Sequence, residues 1–499
     1  MQAGTKLNDA SLEHRLAEIV ASARFSDLPS ELVSTMQLFT LDTLGVIGGA
    51  ARAPGISELL LALGDLGATG CATVLLDGSL ASPEMAAFVN AAAAHSLDFD
   101  DQHDPARIHA FCVVLPTVLA TAQAKNRLLV QAFGCSPAHQ SDGSDSHPAF
   151  QPVTGPDFLR ATALGVEIFS RLGLACPSLL NTGWHPTTLL GCIAGAASSS
   201  AVLRLDTDAT HHAMALAYAQ ASGTNQPIHD GALAKRIGPG FAARSAVTAA
   251  FLARRGITGP TRYLTGTAGL FQLYGNSNVR PDILDNIGLD WETLRLSMKP
   301  FPCCRCTHTV TELGQSFRSE GLRSDEIESG VIELSDTNVR IVGSKFDQNH
   351  PQPTVHAQFN AAYTFANALD RGVVGIGDFS AESVRRPAVA WASKVSTVPA
   401  ADMDPSAVAP ARVRLRLKNG NELVKVLWTM KGSPENRLTV DEIRAKFADC
   451  LRYGFGSSER SIDDLINLIT TLEGCTDLEK VIQAFARARS SQTPRRRDT

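Results

Sequence analysis

The stretch His95-Ser-Leu-Asp-Phe-Asp-Asp-Gln-His-Asp-Pro-Ala-Arg-Ile-His109 places four aspartates and three histidines within fifteen residues. Apolar residues flank it on both sides, from 91 to 94 and from 111 to 122. Burying so many polar groups costs free energy unless each group has a partner. The stretch is therefore either a solvated acidic turn between two helices or the polar part of a functional site.

The composition is that of a large globular protein. A chain of 499 residues is too long for one compact core, which predicts at least two domains. Hydrophobic residues make up 44% and charged residues 19%, whereas aromatic residues make up only 6%. Together with the abundance of alanine and glycine, these values favour closely packed helices. The net charge of -5 argues against non-specific binding to nucleic acid.

The chain is expected to be cytoplasmic, with no membrane partner. It has no run of 18 apolar residues, so no membrane span is predicted. The first twenty residues carry Asp9, Glu13 and Glu18 and lack the apolar core of a signal peptide. Ten cysteines are present, mostly scattered in apolar runs as Cys112 and Cys192 are, which is typical of buried thiols in a reducing compartment.

Apolar periodicity predicts a mainly α protein with an α+β part. Helical spacing dominates residues 1–274 and returns at 436–486, which predicts one large all-helical domain built from both chain ends. Residues 275–435 are predicted to form a smaller α+β domain. Within 1–274, residues 125–156 are rich in glycine, proline and serine, and they read as a loop insertion. Residues 487–499 are predicted to form a basic, frayed tail.

Two segments carry the strand signal of the α+β domain. Gly330–Gly343 alternates like a strand. Ala411–Trp428 reads as a hairpin, because alternating apolar residues flank the turn dipeptide Asn419-Gly420.

Four further places could supply partners to the acidic stretch. The first is His185, which stands at a helix start before Pro186. The others are Asp230–Gly240, where Lys235 and Arg236 stand in a glycine-rich loop, then Lys299–His308, and finally the helical face Gln358–Tyr363. Each also has an ordinary interpretation, as a capping histidine, a solvated loop or a plain helical core.

Cofactor motifs are missing, so we expect no metal and no organic cofactor. Cys303, Cys306 and His308 have the ligand types of a zinc site, but no second cysteine pair stands at zinc spacing. A zinc protein stays an alternative that predicts stoichiometric metal. The GxSxG of a serine hydrolase, the GxGxxG of a dinucleotide site and the GxxxxGK[ST] of a phosphate loop do not occur in the sequence.

Several motifs, taken in their order and spacing, resemble one known family. They are Leu41-Asp-Thr-Leu-Gly45, His95-Ser-Leu-Asp-Phe-Asp-Asp101 with His109, Gly183-Trp-His-Pro186, Ala221-Ser-Gly223, Asp230-Gly231 with Lys235-Arg236 and Gly240-Phe-Ala-Ala-Arg244, Lys299-Pro-Phe-Pro-Cys-Cys-Arg305 with Thr307-His308, Lys431-Gly-Ser-Pro-Glu-Asn-Arg-Leu-Thr439, and Lys446-Phe447. The chain thereby resembles the MmgE/PrpD family over nearly its whole length. That family includes 2-methylcitrate dehydratases, cis-aconitate decarboxylases and an iminodisuccinate epimerase.

The resemblance implies a helical domain with an α+β lid domain, a homodimer, and an active site between the domains without metal or organic cofactor. Carried over position by position, the family's active-site pattern matches Asp98, His109, His185, Lys235 and His308. Two departures stand out. Gln102 occupies a position where many members have threonine, and the segment 125–156 is longer than expected.

These residue types suit proton transfer at a carbon next to a carboxylate. We hypothesise that His109, His185 and His308 share the acid and base roles, and that Asp98 orients them. Substrate-binding residues follow in the same way: Lys235, with Arg305 or Lys299, holds a carboxylate, and Gln102 contacts the substrate.

One such constellation can run dehydration, decarboxylation or epimerisation. The sequence favours a lyase acting on a small di- or tricarboxylate. The alternatives are an epimerase of an iminodisuccinate-like dicarboxylate and a non-catalytic polycarboxylate-binding homologue.

Overall fold

The computed structural model describes residues 11–67, 69–133 and 151–489, and it divides the chain into two compact units. The first unit contains the residues up to Ser96, Asp100–Leu296 and the residues from Ile443 on. The second contains Leu97–Phe99 and Ser297–Glu442. The predicted fold class is confirmed, with a helical unit drawn from both parts of the chain and a smaller α+β unit.

The first unit is almost entirely helical. Its only strands among the described residues form a two-stranded antiparallel pair, β1 (Ala72–Thr73) with β2 (Leu80–Ala81). Its helices are α1 (Leu12–Ser22), α2 (Ser30–Gly49), α3 (Ile56–Asp65), α4 (Pro83–His95), α5 (Phe111–Phe133), α6 (Gly155–Ala175), α7 (Pro186–Leu203), α8 (Thr207–Tyr218), α9 (Gln226–His229), α10 (Ala234–Arg254), α11 (Leu270–Tyr274), α17 (Val440–Phe455), α18 (Glu459–Thr470) and α19 (Glu479–Arg487).

Small residues let the central helices of this unit approach one another closely. A Cβ atom added at Gly238 of α10 would lie 2.6 Å from Thr188 Oγ1 of α7. One added at Gly240 would lie 2.5 Å from the carbonyl oxygen of Phe88 in α4. Both distances are below van der Waals contact, so glycine is required where α10 crosses its neighbours.

Two helices are long and apolar enough to cross a bilayer by length and composition alone. They are Ser30–Arg52, which includes α2, and Pro186–Leu203, which is α7. Within the unit, 89% and 94% of their apolar windows are buried by other parts of the protein. A helix that is hydrophobic all round is equally typical of the centre of a large helical core.

A buried ion pair joins the two ends of the chain inside the first unit. Lys446 Nζ of α17 lies 2.6 Å from Asp42 Oδ1 of α2, and both side chains are almost fully buried. Asp42 belongs to the motif near residue 41 and Lys446 to the motif near residue 446, so these two parts of the sequence pattern meet in space. The pair fixes the position of α17 against α2.

The second unit combines a four-stranded sheet with packed helices. Its helices are α12 (His308–Ser319), α13 (Asp336–Val342), α14 (Pro353–Gln358), α15 (Ala361–Arg371) and α16 (Ala381–Val384). Its strands are β3 (Ile327–Leu334), β4 (Val395–Pro399), β5 (Ala411–Leu417) and β6 (Glu422–Leu427), in the order β4-β3-β5-β6. Strand β4 pairs parallel to β3, and the other pairs are antiparallel.

One predicted strand element is confirmed and the other is partly wrong. Strands β5 and β6 form the predicted hairpin around Asn419-Gly420. The segment Gly330–Gly343 is a strand only as far as Leu334. Ser335 then ends the alternation, because its hydroxyl caps helix α13 by accepting a hydrogen bond from the backbone N–H of Asn338.

The two compact units have bounds that differ from those of the predicted domains. Residues 275–296 belong to the first unit, because 3-10 turns in this region are held by α6: Arg171 donates hydrogen bonds to the carbonyl oxygens of Ile283 and Asp290. The second unit extends to Glu442. Of the predicted insertion 125–156, the first residues continue helix α5 to Phe133, and residues 134–150 lie outside the described part of the chain, as do 490–499 of the predicted tail.

Replacing Lys446 with methionine tests the ion pair between the chain ends. The variant leaves the Asp42 carboxylate buried without its cation, so we expect a loss of roughly 3–5 kcal/mol in the free energy of unfolding. Urea denaturation followed by circular dichroism measures this loss. Lys480→Met, at an exposed lysine of α19, is the matched control and should change stability by less than about 0.5 kcal/mol. Equal stability of the two variants would show that the pair does not hold α17.

Candidate active site

A single buried carboxylate, Asp100, organises the polar stretch in the first unit. Its Oδ2 atom lies 2.7 Å from His95 Nδ1 and 3.2 Å from His109 Nδ1. The two imidazole rings meet edge to face, with centroids 4.7 Å apart. His95 and Asp100 are fully buried, whereas His109 keeps 12% of its side chain exposed. Asp100 therefore orients two histidines at once.

Burial and charge set the protonation of this cluster. Burial alone would raise the pKa of Asp100, but the neighbouring His109 and His95 outweigh it and hold that pKa well below its usual range. Burial lowers the pKa of His95 from 6.5 to about 4, against the opposing charge of Asp100 and with help from the charge of Lys235. At neutral pH, Asp100 is thus ionised and His95 is neutral.

Asp101 fixes the start of helix α5 and the position of His109. Its two carboxylate oxygens accept hydrogen bonds of 3.0 Å from the backbone N–H groups of Ala110 and Phe111. Its carbonyl oxygen lies 2.7 Å from His109 Nδ1, and the backbone N–H of His109 donates to Thr187 Oγ1 at 3.0 Å. With Nδ1 engaged by protein oxygens, Nε2 is the nitrogen that His109 can offer to a substrate.

His185 joins the cluster from the start of α7. It is the N-cap residue of that helix, and its Nδ1 lies 2.9 Å from Thr188 Oγ1 one turn later. The ring is largely buried and its centroid lies 6.1 Å from that of His95. The backbone N–H of His185 donates to the carbonyl oxygen of Gly223, so the motif Ala221-Ser-Gly223 supports the motif that contains His185.

Lys235 and Arg236 lie in the first turn of α10, which begins at Ala234. The prediction that these cations stand in a glycine-rich loop at Asp230–Gly240 is therefore wrong from Ala234 on. Lys235 is close enough to His95 for its charge to lower the pKa of that histidine. The structure thus brings three of the predicted site residues, His109, His185 and Lys235, near His95, the partner of Asp100.

Asp98, the predicted orienting carboxylate, belongs to the second unit with Leu97 and Phe99. Its backbone adopts a left-handed conformation with φ of 52°. Lys299 Nζ donates to the carbonyl oxygen of Asp98 at 3.0 Å and lies 3.5 Å from its Oδ1. Gln358 holds the preceding residue, because its Nε2 donates to the carbonyl oxygen of Leu97 at 2.9 Å. Lys299 is 1% exposed, and its charge is balanced by Asp98.

Arg305 and His308 form a second buried pair in that unit. Arg305 Nη1 donates to the carbonyl oxygen of Lys431 at 2.9 Å and to His308 Nδ1 at 3.3 Å. A guanidinium has no hydrogen-bond acceptor, so His308 Nδ1 accepts the hydrogen bond from Arg305. The hydrogen of the neutral ring is therefore on Nε2. That Nε2 lies 3.2 Å from the carbonyl oxygen of Cys303. Both ring nitrogens of His308 are thus engaged inside the unit.

Two other candidates have local roles. Gln102 is buried in the first unit, and its Nε2 donates to Asp104 Oδ1 at 3.0 Å. Tyr363 is fully buried in the hydrophobic core of the second unit, where its hydroxyl donates to the carbonyl oxygen of Asp378. Tyr363 therefore packs the core.

His95, Asp100 and His109 also have the side-chain types of a metal site, and their donor atoms all lie within 4.8 Å of one another. Both imidazoles nevertheless direct Nδ1 at one carboxylate oxygen at hydrogen-bond distance, which is the geometry of a proton-sharing cluster. The zinc alternative at Cys303 has a different arrangement. The hydroxyl of Thr307 donates to Cys303 Sγ at 3.2 Å, and the carbonyl oxygen of Cys303 faces His308.

Comparison with known proteins agrees with the sequence motifs. Residues 14–281 match the MmgE/PrpD N-terminal domain and residues 301–471 match the MmgE/PrpD C-terminal domain. The chain belongs to the MmgE/PrpD family. The helical unit and the α+β unit correspond to these two family domains, apart from the segments that cross between the units.

Curated relatives of this MmgE/PrpD chain are cis-aconitate decarboxylases or decarboxylase-like proteins. It is 26% identical to the cis-aconitate decarboxylase-like protein oryM of Aspergillus oryzae over 498 residues, which cover 95% of this chain and 97% of the relative. It is 24% identical to the cis-aconitate decarboxylase of Aspergillus terreus over 92% of each chain. The mouse cis-aconitate decarboxylase is 26% identical over 80% of this chain and 78% of the relative.

Sequence reasoning missed two members of the cluster, His95 and Asp100. Both stand in the stretch that first drew attention, but the family motif pointed to Asp98 as the orienting carboxylate. The direction of each side chain decides which of the neighbouring aspartates contacts the histidines. That direction depends on the left-handed backbone conformation at Asp98. A non-glycine residue seldom adopts that conformation, and the sequence gives no sign of it.

The lowered pKa of His95 predicts a loss of stability in mild acid. A buried neutral histidine contributes its full stability above its unfolded pKa of 6.5, and that contribution is lost as the pH falls toward 4. Between about pH 7 and pH 5, wild-type protein should lose about 2 kcal/mol in the free energy of unfolding from this group. His95→Gln keeps a donor for Asp100 but does not titrate, so its urea midpoint should fall less over the same range. Parallel pH dependences of the two proteins would contradict the assignment.

Proposed function

We propose that the protein is a cofactor-independent lyase that removes CO2 from a small, cis-aconitate-like tricarboxylate. The observation that carries the proposal is the Asp100 cluster, in which the His95 ring has His109 and His185 as ring neighbours and feels the charge of Lys235. The family membership and the decarboxylase relatives support it. They favour a carboxy-lyase over the epimerase alternative and, less strongly, over dehydration of 2-methylcitrate.

The chemistry follows from charge. When the C–C bond to the leaving carboxylate breaks, CO2 departs. The electron pair of that bond stays with the substrate and passes through the C=C bond onto a neighbouring carboxylate. A fixed cation such as Lys235 stabilises that growing negative charge, and one such interaction contributes on the order of 3 kcal/mol. A protonated histidine then delivers a proton to carbon, which completes the reaction without an external oxidant or metal.

Roles within the proposed machinery follow from the geometry. His109 and His185 share the proton transfers, because a protein hydrogen bond at Nδ1 orients each ring. We propose a positioning role for His308, since using either of its ring nitrogens would break a hydrogen bond inside the second unit. Lys299 and Arg305 are proposed to hold Asp98 and His308 in place as well as to contribute positive charge.

A substrate panel in D2O tests the activity. Purified protein is incubated separately with cis-aconitate, 2-methylcitrate, citrate and iminodisuccinate and followed by NMR. The proposal expects loss of CO2 from cis-aconitate with one deuterium incorporated into the product. Deuterium exchange on iminodisuccinate alone would indicate an epimerase. Saturable binding of a tricarboxylate without exchange would indicate the non-catalytic alternative, which Gln102 keeps open.

Substitutions test the site separately from the substrate. His185→Ala and Lys235→Ala should each reduce kcat/KM on the reacting substrate by more than tenfold, a barrier increase above about 1.4 kcal/mol. Lys480→Ala, at an exposed lysine far along the chain, is the control and should leave turnover unchanged. Turnover within tenfold of wild type in either site variant would remove that residue from the site.

A further inference from the structure

A cavity lined by several cations lies in the first unit, at the end of α7 that is remote from His185. Its volume is about 930 Å³. It is lined where helices α1 and α7 end and α6 begins, and its polar lining includes Arg24, Lys125, Asp157, Arg160 and Arg204. The volume is within the range of small-molecule sites in proteins.

Among the described residues, the charges that line this cavity do not balance. Four basic residues and one carboxylate, Asp157, line it, and Asp157 pairs with Arg204 at 3.0 Å. The other hydrogen bonds of these cations go to neutral carbonyl oxygens. Lys125 Nζ donates to Val202 at 2.8 Å, and Arg160 Nη2 donates to Ala201 at 2.7 Å. A carbonyl oxygen satisfies a donor but does not neutralise its charge.

Helix dipoles reduce the excess of positive charge without removing it. The carboxyl ends of α1 and α7 each contribute about half a negative charge, and the amino end of α6 contributes about half a positive charge. The described lining residues thus keep an excess of about two and a half positive charges. Burial lowers the pKa of Lys125 to about 8, against the opposing charge of Asp157, and the like charges of Arg204 and Arg160 add to this effect.

We propose that this cavity is an anion-binding site, separate from the catalytic cluster, for a small multivalent oxyanion. Arg160 is the fixed part of the site. Its side chain is buried and donates hydrogen bonds to the carbonyl oxygens of Ala23, at the end of α1, and Ala201, in the last turn of α7. Lys125 and Arg204 are the side chains whose charges a ligand compensates. Helix α7 has 18 residues and therefore spans about 27 Å between the two sites, so binding here does not occupy the position of a substrate at His185.

Calorimetric titration with sulfate tests the proposal, because sulfate is multivalent and does not titrate near neutral pH. At low ionic strength and about pH 8, wild-type protein should bind one sulfate per cavity, and Lys125 should take up about half a proton on binding. Repeating the titration in buffers of different ionisation enthalpy measures that uptake. Citrate, titrated in the Lys235→Ala variant, is the carboxylate arm and should show the same dependence on Lys125.

Two variants and two controls locate the site. Lys125→Gln and Arg204→Gln should each weaken sulfate binding at least fivefold, and Lys125→Gln should abolish the proton uptake. Arg204 is 68% exposed at its side chain, so its replacement leaves the fold intact even if Lys125→Gln lowers Tm. Arg452→Gln removes one charge from a surface ion pair of α17 and should leave the affinity within twofold, as should Lys235→Ala.

Three results would overturn the proposal. One is a lack of saturable sulfate binding up to about 10 mM, which corresponds to a binding free energy weaker than about 3 kcal/mol. Another is equal affinity in wild type, Lys125→Gln and Arg204→Gln. The third is loss of binding in Lys235→Ala, which would place the sulfate at the catalytic cluster.

Discussion

Burial of the Asp100 carboxylate is the constraint on which the polar centre of the helical unit depends. A fully buried charge is tolerated only when partners compensate it, and Asp100 finds two imidazoles at one of its oxygens. Those imidazoles come from the end of α4 and from the residues just before α5. The positions of both helices are therefore tied to the ionisation of one side chain.

Helix ends, rather than helix faces, build the site. Helix α5 begins at the backbone N–H groups that Asp101 caps, α7 begins after His185, and α10 carries Lys235 in its first turn. Their amino ends meet at Thr187 and Thr188, which contact His109, His185 and the first turns of α10. Three amino ends add partial positive charge where an anionic substrate is proposed to bind.

Much of this architecture was predictable from local patterns. Helical spacing, the Asn419-Gly420 hairpin and the ordered motifs each depend on residues close in sequence. The helical start of α10 was not predictable, because Gly238 and Gly240 signal a loop unless the crossing helices are known. The carboxylate that contacts His109 was missed for a similar reason, since Asp98, Asp100 and Asp101 differ in the direction of their side chains and not in residue type.

The sharing of one carboxylate oxygen by two rings limits how the cluster handles hydrogen ions. A single negative charge compensates one imidazolium, and ring centres 4.7 Å apart make a second one unfavourable. A charge on the neighbouring His109 ring is accordingly among the causes that lower the pKa of His95. The proposed acid–base site therefore has room for one charged imidazole beside Asp100, and for one transferable proton at a time.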